Sequence, residues 1–235
     1  MKRMKTIQNK AIVLLSGGLD SLVSLGIAKE KCSVSLALTF DYGQRTARQE
    51  IIAARNITEY YSIEHRVIKL PWLEEITTTS LVNKTEKLPE LNASELDNLD
   101  YTEKSAKNVW VPNRNGVFIN IAAGFADSMG FKYIIFGANK EEAATFPDNS
   151  EIFIQKINES RQYSTLFKAE VVAPLAAYNK IEIVKIALEN NVPLKLLRSC
   201  YTNEDKHCGK CESCLRLKRA LNEVIKNGCP IEFAK

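Results

Sequence analysis

The chain has 235 residues, 45% hydrophobic and 26% charged, and its 32 Lys and Arg against 28 Asp and Glu leave a formal net charge of +4. This is a globular composition, long enough to bury a core without disulfide staples, and it excludes disordered and collagen-like chains. No apolar run nears the roughly 18 residues of a membrane-spanning helix, and so weak a positive charge argues against a surface built to grip nucleic acid.

The start is basic, with Lys2, Arg3, Lys5 and Lys10, but the apolar run behind it, Ala11-Ile12-Val13-Leu14-Leu15, is shorter than the ~7–15 residues of a secretory core. We therefore expect no signal peptide, no membrane association and a cytoplasmic address. That same run ends at Gly17-Gly18, as a strand buried on both faces would, and a helix is expected to follow. Val34, Leu36, Leu38 and Phe40 alternate with Ser33, Ser35, Ala37 and Thr39, which predicts a second strand. Between Gln44 and Tyr61, the residues Ala47, Ile51, Ala54, Thr58 and Tyr61 recur at helical spacing. Val67-Ile68-Lys69-Leu70 makes a third strand before Pro71. Residues 71–107 break the alternation: eight acidic residues stand against Lys84, Lys87, Lys104 and Lys107, with many Thr, Asn and Ser between them. A polar surface insertion is the plainer expectation, and a lid over a site the sharper one.

Further on, Phe118, Ile121, Ala122, Phe125 and Met129 form a helical stripe stopped by Gly130, and Tyr133-Ile134-Ile135-Phe136-Gly137 reads as a fourth strand. After Val171-Val172-Ala173-Pro174-Leu175, Asn179 can cap a helix with Glu182 completing a capping box, Ile181, Val184 and Leu188 facing inward, and Pro193 ending it. Strand–helix alternation predicts an α/β fold with a parallel sheet covered on both faces, whose ligands bind beyond the carboxyl ends of the strands.

The loop Ser16-Gly17-Gly18-Leu19-Asp20-Ser21 sits at such an end. Two glycines bring backbone N–H groups close to an anion, and the helix start adds free donors and partial positive charge. Ser16 and Ser21 add hydroxyls, while Asp20 makes sense in an anion-seeking turn if Mg²⁺ shares the phosphates. A plain Gly-Gly turn is the alternative. The loop is neither a Walker A nor a Gly-x-Gly-x-x-Gly turn. It resembles the pyrophosphate loop of the ATP pyrophosphatase (PP-loop) superfamily, which adenylates an acid or amide oxygen and releases pyrophosphate.

Four of the six cysteines, Cys200, Cys208, Cys211 and Cys214, lie within 15 residues. Four thiolates at this spacing suit a closed tetrahedral site, one structural Zn²⁺ per chain in preference to an iron–sulfur cluster. Cys214 opens a helix through Leu215, Leu217 and Leu221. Cys32 and Cys229 are left as bystanders, and His207 is expected at the surface.

Taken together, the PP-loop hexapeptide, Asp41-Tyr42-Gly43-Gln44-Arg45, Val111-Pro112-Asn113-Arg114-Asn115, Pro174-Leu175 with Lys180-Ile181-Glu182-Ile183-Val184, and Ser199-Cys200-Tyr201 with Cys208-Gly209-Lys210-Cys211-Glu212-Ser213-Cys214 resemble the 7-cyano-7-deazaguanine synthase family, in order and across nearly the whole chain. One run departs from many bacterial members: of residues 137–150 only Gly137, Asn139, Pro147 and Asp148 carry over, a variant similar to the archaeal branch, which points to archaeosine over queuosine as the end product.

The resemblance implies a Rossmann-like fold of the adenine nucleotide alpha hydrolase type, with residues 1–193 as the ATP-binding domain, 71–107 as insertion or lid, and 194–235 as a zinc-binding helical module. It implies nucleotide contacts from Leu15, Ser16, Gly17, Gly18, Leu19, Asp20, Ser21, Leu22, Val23 and Ser24, with ATP and Mg²⁺ as cofactors. Asp20, Ser21, Arg45 and Arg114 are the candidate catalytic residues. The two arginines are candidates for anion contacts because a guanidinium fork fits phosphate or carboxylate, ordinary ion pairing being the alternative. The implied reaction is a ligation: 7-carboxy-7-deazaguanine and ammonia become the nitrile through an acyl-adenylate and an amide. The implied partners are small molecules without nucleic acid or membrane, and a homodimer is compatible with this reading. Competing readings are a tRNA-modifying PP-loop enzyme of the thiolase or lysidine synthase type, a related enzyme modifying proteins in place of the free base, and a non-enzymatic zinc-binding module. With two histidines, His65 and His207, and no room for a second catalytic domain, the expected nitrogen source is free ammonia or ammonia handed over by a separate partner.

Overall fold

The computed structural model describes residues 9–89 and 92–234; Lys2, Arg3 and Lys5 of the basic start lie outside them. Five strands, β1 (Lys10–Leu14), β2 (Ser33–Asp41), β3 (Glu64–Lys69), β4 (Tyr133–Ile135) and β5 (Glu170–Val172), form one parallel sheet in the order β3-β2-β1-β4-β5. The helices are α1 (Leu19–Lys31), α2 (Ala47–Tyr61), α3 (Pro71–Glu75), α4 (Leu99–Val109), α5 (Arg114–Met129), α6 (Lys140–Ala143), α7 (Glu151–Ser164), α8 (Lys180–Glu189) and α9 (Glu212–Val224).

Alternation in β1 divides the core in two. Ala11 and Val13 join a layer with Leu22 and Leu25 of α1, Ala54 and Ile57 of α2, and Val184 of α8. Ile12 and Leu14 join the opposite layer with Ile119, Ala122 and Ala126 of α5. The parallel sheet buried on both faces is thus the one the apolar runs predict. Leu15 lies just beyond β1 but extends its ladder, its N–H donating to the Leu38 carbonyl at 2.8 Å.

Several boundaries and faces differ from expectation. β3 begins three residues earlier than Val67 because Glu64, His65 and Arg66 pair with Leu36, Ala37 and Leu38 at a half-exposed sheet edge, where apolar patterning is weak. β5 is a further strand that the sequence pattern left unassigned. Met129 is 38% exposed and Leu188 46% exposed; both sit at helix ends, and the buried faces centre instead on Ile119, Ala122, Ala123 and Ala126 in α5 and on Ile183, Val184 and Ala187 in α8. The capping box at Asn179 and Glu182 is present in both directions.

The polar 71–107 segment contains α3 and most of α4 and sends Leu73, Leu81 and Val82 into the second core layer, joined there by Val109 at the end of α4. After 193, Leu194, Leu197, Leu217, Ala220 and Leu221 share the first layer with α1 and α8. Among the described residues, no helix is long and apolar enough to cross a membrane.

Candidate active site

The strand order places a switch point between β1 and β4, where neighbouring connections leave in opposite directions and open a crevice at the carboxyl ends. The glycine loop after β1 lies there, against Gly137 after β4. A Cβ on Gly137 would stand 2.8 Å from the Ser21 backbone nitrogen, so only glycine lets the two turns meet. Gly17 has φ +83°, and a Cβ there would stand 2.8 Å from that of Ala53. Inside the loop the Ser16 and Ser21 hydroxyls are 3.2 Å apart, Ser21 Oγ donates to the Gly18 carbonyl, and the Gly18 N–H donates to Ser16 Oγ.

Leu15, Ser16, Gly18, Leu19, Asp20 and Ser21 line the resulting cleft. Leu22, Val23 and Ser24 do not: all three side chains are fully buried within α1, which corrects the longer nucleotide-contact stretch expected from sequence. Phe40, Tyr42, Glu50, Arg114, Phe118, Glu142, Lys180 and Tyr201 complete the lining. The Phe40 and Phe118 rings stack at 4.0 Å with planes 4° apart, a flat apolar wall.

Elsewhere the lining is charged. Lys180 Nζ bridges Asp20 Oδ2 at 2.5 Å and Glu142 Oε1 at 2.8 Å. Burial raises the Asp20 carboxyl above its ordinary range, against the pull of the lysine; burial also acts on Glu142, but there the Lys180 attraction wins and holds the carboxyl low. Burial works against the ammonium of Lys180 too, and the two carboxylates outweigh it. Asp20 Oδ1 is buried and has no hydrogen-bond partner. Arg114, at the start of α5, is held charged against burial by Tyr42, Asp148 and Glu142. Burial pushes the Tyr42 phenol up to about 12. Glu50 accepts hydrogen bonds from Gln44 Nε2 at 3.0 Å and Thr46 Oγ1 at 2.5 Å, and burial raises its carboxyl.

Arg45 is placed elsewhere. Its guanidinium donates to the carbonyls of Ser80 at 2.5 Å, Asn83 at 2.7 Å and Glu86, so it clasps the 71–107 segment and is not among the residues lining the cleft. In place of the anion contact expected of it stands a backbone clamp, in which three of its five N–H donors are taken by carbonyls. The far side of the segment is held by α9: Arg216 pairs with Glu141 and donates to the Leu96 carbonyl at 3.1 Å, and Arg219 pairs with Asp97.

The Sγ atoms of Cys200, Cys208, Cys211 and Cys214 all lie within 4.8 Å of one another. Thiolates around a tetrahedral ion with bonds of ~2.3 Å would stand slightly closer, and Cys208 and Cys214 are already 3.9 Å apart. Backbone N–H groups of Cys208 and Thr202 point at Cys200 Sγ, and those of Lys210 and Cys211 at Cys208 Sγ, the turns that stabilise anionic sulfur. The donor set therefore fits a closed metal centre and could hold zinc. His207 is buried, contrary to the surface position expected of it, because its Nε2 accepts the Ser199 N–H at 3.1 Å. Cys32 is buried and Cys229 exposed, both apart from the cluster.

Tyr42, Lys180 and Tyr201 stand in the sequence motifs without roles, Glu142 lies unmarked in the divergent 137–150 run, and Glu50 carries no motif. A lysine and a glutamate at helix starts look like ordinary surface residues; only the fold brings Lys180 and Glu142 to Asp20.

The family model described as "Queuosine biosynthesis protein QueC" matches residues 10–225. A 7-cyano-7-deazaguanine synthase from Methanosarcina mazei is 51% identical over 218 residues, covering 92% of this chain and 94% of the relative. One from Pelotomaculum thermopropionicum is 51% identical over 211 residues, covering 90% and 96%. Among solved structures, the U34-tRNA thiolase NcsA from Methanococcus maripaludis, solved with its [4Fe-4S] cluster, aligns with TM-score 0.50 and 15% identity over 97% of this chain and 76% of its own, a likeness of fold.

Proposed function

The chain belongs to the QueC family, whose matching relatives are 7-cyano-7-deazaguanine synthases, and on that premise we propose that it is a cytoplasmic ATP-dependent ligase converting 7-carboxy-7-deazaguanine and ammonia to the nitrile. Mg·ATP would supply the activation: a carboxylate oxygen is a poor leaving group until it carries an adenylyl group, and the amide oxygen formed in the first half must be activated likewise before loss of protons gives the nitrile. Zn²⁺ would be held by Cys200, Cys208, Cys211 and Cys214 in a structural role, since four protein ligands leave no open position.

The chain's own part is orientation and charge. Ser16, Gly18 and Ser21 offer donors for a pyrophosphate at the start of α1, and the orphaned Asp20 Oδ1 is a hard oxygen suited to Mg²⁺. Arg114, half-buried at the cleft beside Tyr42 and Asp148, would contact the substrate carboxylate or the α-phosphate. The Phe40–Phe118 wall suits a flat heteroaromatic ring. These positioning effects are what adenylyl transfer needs most from a protein.

The observation that carries the proposal is the meeting of the glycine loop, Asp20 and Arg114 in one cleft of a chain half identical to named synthases. The test is mass spectrometry of the product after incubation with 7-carboxy-7-deazaguanine, ammonium and Mg·ATP. We expect the nitrile together with AMP and pyrophosphate. Recovery of unchanged acid, or ADP in place of AMP, would overturn it.

A further inference from the structure

Lys180 is the first residue of α8, and its side chain reaches from there to Asp20 at the start of α1 and to Glu142 in α6. Its backbone N–H donates to Glu141 Oε1 at 2.8 Å. One ammonium thus serves two carboxylates, with a third beside it, and it occupies one oxygen of Asp20 while the other stays buried and unpaired. Asp20 is also the residue to which the functional reading above assigns the metal, and the present inference rests on that reading.

We propose that Lys180 stands in for the cation at Asp20 and closes that carboxylate to free divalent ions, so that metal can occupy it only together with nucleotide. A metal ion arriving alone would take Asp20 from the ammonium with no new anion to replace it. That would leave the ammonium with Glu142 as its one remaining carboxylate partner, a few ångströms from a divalent charge. Mg²⁺, which sheds its waters reluctantly, is poorly placed to drive such an exchange. A polyphosphate changes the balance, because Lys180 lines the same cleft as Gly18 and Ser21 and its ammonium can pass from Asp20 to phosphate oxygens. Lys180 is a positioning residue in this scheme: it orders the arrival of metal and nucleotide. The neighbouring charges agree, since Glu141 is engaged by Arg216, and Glu142 faces Arg114 as well as Lys180, so neither offers a free site while the lysine is in place.

The test is an electron paramagnetic resonance titration with Mn²⁺ at pH 8, without nucleotide, on the wild type and on Lys180→Met and Lys180→Arg. The wild type and Lys180→Arg should leave millimolar Mn²⁺ free. Lys180→Met should capture one Mn²⁺ at least about tenfold more tightly, a difference of about 1.4 kcal/mol, and adding Asp20→Asn should abolish the capture. Adding ATP to the wild type should bring one Mn²⁺ on with the nucleotide. A folded Lys180→Met that gains no site would overturn the proposal. So would nucleotide-free capture by the wild type, a measurement that needs no variant to fold. If the wild type takes neither ATP nor Mn·ATP, the reading of the cleft as a nucleotide site fails with it; if it takes both but the variants do not differ, only the role of Lys180 fails.

Discussion

The backbone N–H of Arg198 donates to the carbonyl of Gly17 at 2.7 Å. The residue that follows, Ser199, receives the Leu19 N–H on its hydroxyl at 3.4 Å and gives its own N–H to His207. The arm entering the cysteine cluster is therefore hydrogen-bonded to the glycine loop. Metal binding and folding are linked wherever ligands converge only in the native state, and with metal and nucleotide bound as proposed the linkage would extend to the cleft. Chelation of the metal, or Cys208→Ser, should lower the melting temperature and weaken ATP binding by about tenfold, roughly 1.4 kcal/mol. Calorimetry reads both; a lower melting point with unchanged ATP affinity would show that the arm does not steady the loop.

Gly137→Ala should separate loop geometry from stability. The added Cβ would press on the Ser21 nitrogen at 2.8 Å and the Asp20 carbonyl carbon at 3.0 Å, backbone atoms that cannot swing aside as a flexible side chain would. Crowding of this kind costs about 1–3 kcal/mol, and we expect much of it to appear as lost ATP affinity. Gly17→Ala, forced into φ +83° against Ala53, should instead lower global stability by roughly 1–3 kcal/mol, measured by urea denaturation.

Arg45 and Arg114 should part company on substitution. Arg45→Ala releases three carbonyls of the 71–107 segment, so protease cleavage within residues 76–98 should accelerate while ATP affinity changes less than about threefold. Arg114→Ala removes the cleft-lining cation that faces Tyr42, Asp148 and Glu142 and should abolish turnover. Loss of ATP binding in Arg45→Ala, with the segment still protected, would restore a direct anion role to Arg45.

Burial raises the Glu50 carboxyl above its ordinary 4.5. A raised acid contributes stability that is complete below that ordinary value and is lost as pH climbs through the folded-state value. Glu50→Gln cannot ionise, so its melting temperature relative to wild type should rise progressively from pH 4.5 upward, on top of any constant offset from the altered bonds to Gln44 and Thr46. A difference independent of pH would place the Glu50 carboxylate in a better solvated setting than the structure gives it.

For nitrogen, supplying nitrogen-15 ammonium should label the nitrile, and amide-labelled glutamine alone should not. Among the described residues His65 sits in β3 with its Nε2 2.8 Å from the Thr39 hydroxyl, and His207 is committed to Ser199; neither lies beside a cysteine poised as a glutaminase nucleophile. Efficient transfer of label from glutamine would overturn the free-ammonia reading.

The sheet was largely legible because parallel strands buried on both faces announce themselves as runs such as residues 11–15, and because the Ser33 to Phe40 alternation marks the second strand, although its burial alternates only as far as Leu36 and residues 36–40 are all buried. The cysteine cluster was legible for a related reason: its ligands are local, and their spacing carries the geometry. What the sequence withheld depends on distant meetings. Glu142 and Lys180 reach Asp20 only through the strand order, and neither has a periodicity or spacing that marks it. Arg45 reads the same whether its fork meets a phosphate or three carbonyls, and the choice is made by where residues 80–86 fold. His207 is buried by the bond it accepts from Ser199, eight residues back, and by the C-terminal tail, where Phe233 pairs with it and packs on its ring.

The strand order also dictates when in the life of the chain a site can exist. β1 occupies the centre of the sheet, yet its two neighbours are β2, made next, and β4, in which Ile134 pairs with Ile12. A ribosome-bound chain can pair its first three strands early, but one flank of β1 stays open until β4 emerges, and contacts so far apart in sequence close slowly. The crevice that cradles the glycine loop is bounded by the turn after β4. A half-synthesised chain therefore carries the whole loop and no place to bind a nucleotide, and competence arrives only when the second half of the sheet docks.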